Sequence, residues 1–297
     1  MSRTLLAPVS YGLGDLVVSL PAMQALVMES RPAWLVARSP SQRLLAQRID
    51  GLAGVVDEAT YTECPGDRFI DLRDHPLQRD VWWGSDEFEA TIGPMNINDI
   101  LHRICVDLGV HADFARPVPL RTRPCPSLDR TVLLVHETDG AAKSWPAERW
   151  AEVATMLRKD GHEVAHVTKG ASPTPLDDTG VAALVAATPP EAVDALSACR
   201  AVIGVDTGLT HIAVQQGTPT VTVCRRSSVY VRPWPHSVAL RGSECTELCR
   251  AAETASAYNR TVSLREFRPP PRTCLSGSAC LAGTRAADAV ALLRELL

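Results

Sequence analysis

The chain has 297 residues, 45% of them hydrophobic, enough for two compact domains of about 100 to 170 residues, each with its own core. Thirty Lys and Arg against 34 Asp and Glu give a formal net charge of −4 with no long basic block, which weighs against nucleic-acid partners and against strong docking on anionic lipid but leaves room for a local anion site. No stretch approaches the roughly 20 apolar residues that cross a membrane, and MSRTLLAPVS is too short in apolar run for a signal peptide; the expected location is the cytoplasm, with the nine cysteines as thiols or metal ligands rather than a disulfide framework.

In chain order, residues 3–9 read as an apolar strand. SYGLGD is then a turn into a helix from Asp15 to about Glu29, with Leu16, Leu20, Met23, Leu26 and Val27 at helical spacing. Two readings of Asp15 stand side by side: a carboxylate that caps the helix, and one held at a sheet's carboxyl edge where it can take a proton from a hydroxyl nucleophile. Gly12-Leu13-Gly14 opens like a dinucleotide fingerprint, but Val17 displaces the third small residue, so no nicotinamide or flavin is expected. Strands at Ala33–Ala37, Gly54–Asp57 and Arg68–Leu72, with helical stretches between them and another at Ile97–Leu108, predict a doubly wound α/β sheet. The long aperiodic loop from Asp71 to Asn96 holds Arg73, His75, Arg79, Trp82 and Trp83. With Gly14, these residues suit a polar, ring-shaped acceptor; alternatively, the tryptophans fill core beneath the loop. The Pro-rich run Arg116–Arg130 sets the boundary between residues 1–125 and 126–297.

The second half repeats the pattern. A strand beginning near Thr131 leads through a polar loop to a helix that opens at Pro146 and ends at Gly161. Lys143 lies in that loop, placed either to meet a diphosphate alongside Thr138 or to be a solvated surface charge. After HEVAHVTKG and PPEAVDALSAC comes Val202–Val223, VIGVDTGLTHIAVQQGTPTVTV, which predicts strand, short helix from Thr210 to Gln216, and strand. Asp206, Thr207 and the Gly208 amide then lie at a strand's carboxyl end, where helix amides favour an anion, with His211 one turn on. The same Asp and Thr also serve as an ordinary cap and turn.

SYGLGDLVVSLPAMQAL, KSWPAERWAEVATMLRKDGHEV, and VIGVDTGLTHIAVQQGTPTVTV followed by RPWP together resemble glycosyltransferase family 9, best known for the ADP-heptose:lipopolysaccharide heptosyltransferases. The resemblance implies the GT-B architecture, two Rossmann-like domains facing across a cleft. Acceptor would be bound by residues 1–125 and nucleotide-sugar donor by 126–297, with the last helix able to pack back on the first domain. It implies inverting transfer with Asp15 as general base, Thr138 and Lys143 on the diphosphate and sugar, and Asp206, Thr207, Gly208 and His211 as the donor-binding D-T-G-x-x-H. No cofactor or divalent metal is required in that scheme; the donor is a nucleotide-diphosphate sugar, ADP-linked as first choice and GDP-linked as second. Where the family places an acid on the donor ribose, this sequence has Ser172. The short first half, without an obvious basic face, favours a small soluble acceptor over lipopolysaccharide, and a monomer is expected. A nucleotide-sugar epimerase or hydrolase, or a non-catalytic nucleotide-sugar-binding protein, are the readings from other classes.

Cys245, Cys249, Cys274 and Cys280 leave a structural metal or iron–sulfur site, disulfides and free thiols all open. The final TRAADAVALLRELL is an amphipathic helix with Ala286, Val290, Leu293 and Leu297 on one face.

Overall fold

The computed structural model describes residues 3–62, 64–79, 90, 95–138, 143–170, 174, 176–225, 229–243 and 279–297. Trp82, Trp83, Ser172, Cys245, Cys249 and Cys274 lie outside them, as does the side chain of Arg79. Two parallel sheets organise the chain. The first contains β1 (Thr4–Ala7), β2 (Ala33–Ala37), β3 (Leu52–Asp57) and β4 (Arg68–Asp71), in the order β3-β2-β1-β4. β1 and most of β2 are buried, which is why both read as continuous apolar runs rather than alternating ones.

Around this sheet lie α1 (Leu13–Glu29), α2 (Pro40–Ala46), α3 (Pro76–Arg79) and α4 (Ile97–Asp107). Ser39 caps α2 with Pro40 in its first position, and Asn96 caps α4 by accepting from the amides of Asn98 and Asp99. Leu16, Val17, Val18, Leu20, Met23, Leu26 and Val27 of α1 are all buried. Such a wide apolar girth suits a helix covered on more than one side.

The second sheet contains β5 (Leu128–Val135), β6 (Glu163–Thr168), β7 (Ala182–Val185), β8 (Cys199–Val205), β9 (Thr220–Cys224) and β10 (Ser237–Arg241), in the order β10-β9-β8-β5-β6-β7. Its helices are α5 (Ala147–Lys159), α6 (Pro189–Ala198), α7 (Gly208–Gln215), α8 (Ala279–Ala282) and α9 (Ala286–Leu296). Counted from its own first strand, the sheet runs 6-5-4-1-2-3, the doubly wound arrangement whose strand order reverses between β5 and β8. β7 and β10, the two edge strands, are not legible in the sequence. Neither carries the buried apolar run that marks an interior strand, and Val185 is 62% exposed.

α9 packs on α5, β8, β9 and β10, burying Ala286, Ala289, Val290 and Leu293 in the core of the second sheet rather than returning to the first half. Leu297, expected on that face, falls beyond the helix and is exposed.

The two halves share a core. Leu16, Leu20 and Met23 of α1 lie in one buried cluster with Leu133, Val135, Val202, Ile212 and Ala213 from the second sheet and α7. Polar latches reinforce it. The buried Arg48 pairs with Asp194 at 2.6 Å and donates to the carbonyls of Arg121 and Pro190. Gln215 and Gln216 donate to the carbonyls of Val118 and Leu120. The buried Arg232, in the RPWP segment, donates to the Val18 carbonyl on α1 and to Asn98 on α4 while lying over the Trp234 ring. Burial pushes the Arg232 pKa down to about 9, the direction expected of a cation whose partners are neutral.

Candidate active site

The crevice between the carboxyl ends of β5 and β8 is where an open doubly wound sheet accepts a ligand, because the helices on either side of a reversal diverge there. β8 ends in Val205, and Asp206 follows with its amide bonded to the Val223 carbonyl of the neighbouring strand. Its carboxylate is gripped from two directions. Lys143 Nζ donates to Oδ2 at 2.7 Å and to the Asp206 carbonyl at 3.1 Å, while His211 Nε2 lies 2.9 Å from Oδ1. Burial alone would raise the Asp206 pKa; the Lys143 charge and the His211 bond outweigh it and hold the carboxylate well below its usual range.

Asp206 therefore acts as an anchor. It turns a flexible loop lysine into a fixed cation at the crevice and sets the His211 ring one helical turn into α7. Thr207 is the N-cap residue of α7 in extended backbone, with no side-chain cap bond, and Gly208 opens the helix. Thr210 returns its hydroxyl to the Val205 carbonyl at 2.7 Å, which fixes the strand-to-helix turn. Thr138 sits just past β5, half-buried, on the facing lip of the crevice.

The first half delivers its own strand-turn-helix to the same place. A Cβ on Gly208 would meet the Gly14 amide nitrogen at 2.9 Å and Leu13 at 3.0 Å; one on Gly14 would meet His211 Cδ2 at 3.3 Å. The N-termini of α1 and α7 are thus in backbone contact, and only glycine fits the meeting point. Asp15 stands one residue beyond it, half-buried, its Oδ2 accepting from the Gly12 amide at 2.8 Å. The capping reading of Asp15 is realised in this structure, at the start of the helix whose Gly14 meets Gly208 and His211.

The expected acceptor residues divide. Arg73 is half-buried with its guanidinium 5.9 Å from the centre of the Tyr11 ring. His75 instead bonds Asp107 on α4 at 3.0 Å and accepts from the Leu77 amide, a local structural task. Arg79 lies on α3.

A cluster that the sequence did not reveal closes the carboxyl edge of the first sheet. Arg38, its side chain wholly buried, donates to the Pro8 carbonyl, Glu58 and Asp71, so one guanidinium ties together the ends of all four strands. Tyr11 covers it at 5.6 Å. Burial raises the Asp71 pKa although Arg38 opposes it. Nothing in the periodicity around Arg38 marks it as buried; only the convergence of four strand ends does.

Cysteines 64, 105, 125, 199 and 224 are free thiols, and burial pushes Cys199 and Cys224 up to about 12, which keeps them protonated and unreactive. Among the described residues no group of three His, Cys, Asp or Glu is arranged to hold a metal ion, and no helix is long and apolar enough to cross a membrane.

Residues 111–257 match the family described as glycosyltransferase family 9 (heptosyltransferase). No curated protein matches the chain. Among solved structures, it is similar to a family 9 glycosyl transferase from Veillonella parvula at 13% identity and TM-score 0.67, covering 99% of this chain and 97% of that one. It is also similar to the iron-containing dodecameric glycosyltransferase TibC from enterotoxigenic E. coli (16% identity, TM-score 0.66, 99% and 76% covered). A third likeness is to the E. coli heptosyltransferase WaaC, solved with ADP (13% identity, TM-score 0.57, 85% and 98% covered). The matched segment contains the crevice, Lys143, Asp206 and His211, so residues 111–257 carry a glycosyltransferase family 9 domain, and the chain shares the GT-B plan of two parallel α/β sheets with these solved structures.

Proposed function

We propose that the protein is an inverting glycosyltransferase that moves a heptose-like or hexose sugar from a nucleotide-diphosphate donor to a hydroxyl of a small soluble acceptor. Residues 126–297 take the donor and residues 1–125 the acceptor. The observation that carries this reading is the lock of Lys143 and His211 on Asp206 at the β5–β8 crevice, with the N-terminus of α1, the helix that holds Asp15, brought against that of α7 by the Gly14–Gly208 contact.

The chemistry follows from those positions. The donor's diphosphate lies against the Lys143 ammonium, the Thr207 and Thr138 hydroxyls and the first amides of α7, a cation and a helix N-terminus that together meet a dianionic leaving group. Asp15 accepts the proton of the acceptor hydroxyl as its oxygen attacks the anomeric carbon from the side opposite the diphosphate. The C–O bond to phosphate breaks, and its electron pair leaves on the phosphate oxygen, where the fixed donors stabilise the growing charge. An ADP-linked donor is first choice because WaaC is solved with ADP and TibC with ADP-D-beta-D-heptose; GDP is the second.

Calorimetric titration with ADP, GDP, UDP and dTDP tests the reading. One nucleotide binds the wild type in the micromolar range, and Lys143→Ala weakens it at least ~10-fold, since a charge-assisted bond worth roughly 1.5–3 kcal/mol is lost. Equal affinity in the two proteins would remove Lys143 from the donor site.

A further inference from the structure

Resting on the donor reading above, the geometry points to Glu137 as the residue that reads the ribose hydroxyls of the nucleoside diphosphate. With phosphate at the first-strand lip of a doubly wound sheet, the ribose lies over the tips of the first and second strands, where a carboxylate accepts from its hydroxyls. In this chain those strands are β5 and β6. Beyond the tip of β6 the sequence runs Thr168-Lys-Gly-Ala-Ser-Pro-Thr-Pro, without a carboxylate.

The next acid, Asp177, is occupied. Its oxygens accept from the Thr174 amide at 2.6 Å and the Thr174 hydroxyl at 2.9 Å, and it faces His166 at 3.5 Å. Glu137 comes instead from the tip of β5, immediately before Thr138. Its Oε1 accepts from the Thr168 hydroxyl at the tip of β6 at 2.8 Å, and Thr168 Oγ1 in turn accepts from the Gly170 amide at 3.1 Å. This chain of bonds draws the carboxylate of the first strand over to the second and holds it, half-buried, on the lip shared by both. A hydroxyl pair bonded to a carboxylate there is recognised by charge-assisted bonds, which discriminate strongly against a ligand lacking either hydroxyl.

The test is titration of wild type, Glu137→Gln and Glu137→Ala with ADP and GDP and with their 2′-deoxy and 3′-deoxy forms. Glutamine keeps an acceptor for Thr168 and removes only the charge. The wild type is expected to bind the ribonucleotide about 10-fold or more tightly than a deoxy form. Glu137→Gln should lose most of that preference while its affinity for the deoxy forms stays within about 3-fold. Preference retained in Glu137→Gln, or an equal fall for ribo and deoxy forms, overturns the assignment while the donor site stands. A wild type that binds no nucleotide at all overturns the donor site and this assignment together.

Discussion

Both sheets end in a charge cluster at the carboxyl edge, but the two are built with opposite signs. In the first, one buried cation, Arg38, is matched by two carboxylates, Asp71 and Glu58. In the second, one carboxylate, Asp206, is matched by Lys143 and, on its other oxygen, by the His211 ring. Arg38 is sealed under Tyr11 and pinned to backbone, so its cluster holds strand ends together. The Lys143 side chain is 28% exposed and comes from a loop, so its cluster is open where that of Arg38 is closed. Closely similar strand-turn-helix units thus give a structural seal in one place and a proposed anion site in the other; the difference lies in which charge sits at the centre and how far the side chain that carries the cation is exposed.

Breaking the proposed catalytic step should produce the largest effect. Asp15→Asn is expected to lower turnover by about 10² to 10⁴ with nucleotide affinity nearly unchanged, read by paired kinetics and calorimetry. A matching loss of nucleotide affinity would show that Asp15 shapes the pocket rather than taking the proton.

Removing the seal tests the other side of the comparison. Arg38→Met strands two carboxylates in a buried setting and is expected to destabilise the fold by about 3 to 5 kcal/mol in denaturant titration. Nucleotide binding by the folded fraction should be retained, because the donor crevice belongs to the other sheet. A loss below about 1 kcal/mol would mean that the cluster is solvated and not a seal.

The meeting point of the two edges is sharper to test and smaller in effect. Gly208→Ala puts a methyl 2.9 Å from the Gly14 amide, and overpacking of that kind costs about 1 to 3 kcal/mol. The proposed transfer should fall more than donor binding, since Asp15 is displaced from the crevice while Lys143 is not. Gly217→Ala, where a Cβ meets nothing within 4 Å but φ is +78°, serves as a control for backbone strain away from the contact.

The smallest effect concerns pH. His136 and His166 lie 3.2 Å apart between β5 and β6, and burial lowers both pKa values, with each ring also facing Glu137 and Asp177. A histidine whose folded pKa is depressed takes up fewer protons folded than unfolded. Its contribution is therefore intact above the unfolded value near 6.5 and erodes as pH falls below it. Stability measured between about pH 7 and 5 should decline, and His166→Gln should flatten the decline.

Much of this was legible because interior parallel strands announce themselves. TLLA, AWLVA and VIGV are apolar on both faces, and each is followed by a glycine- or Ser-Pro-marked turn into a helix. Lys143, Asp206 and His211 were found from their place beside such strand ends, and the structure brings them together. What stayed hidden is what pairing across long sequence distances creates. Arg38 reads as a surface arginine until four strand ends surround it, and Glu137 as a loop acid until Thr168 bonds it. β7 and β10 are too open at the sheet edges to carry a buried apolar pattern. The amphipathic face of α9 specified burial but not which sheet supplies the surface.

Arg232 has a consequence for how the chain is made. The carbonyl it binds, on Val18, leaves the ribosome 214 residues before it does. The first sheet can assemble early from near neighbours, but its helix α1 keeps an unfilled side until the RPWP segment arrives to close it. Contacts of such long sequence separation form late and slow the final step of folding. The part of α1 around Val18 that Arg232 caps is therefore expected to be completed only after the RPWP segment has been translated.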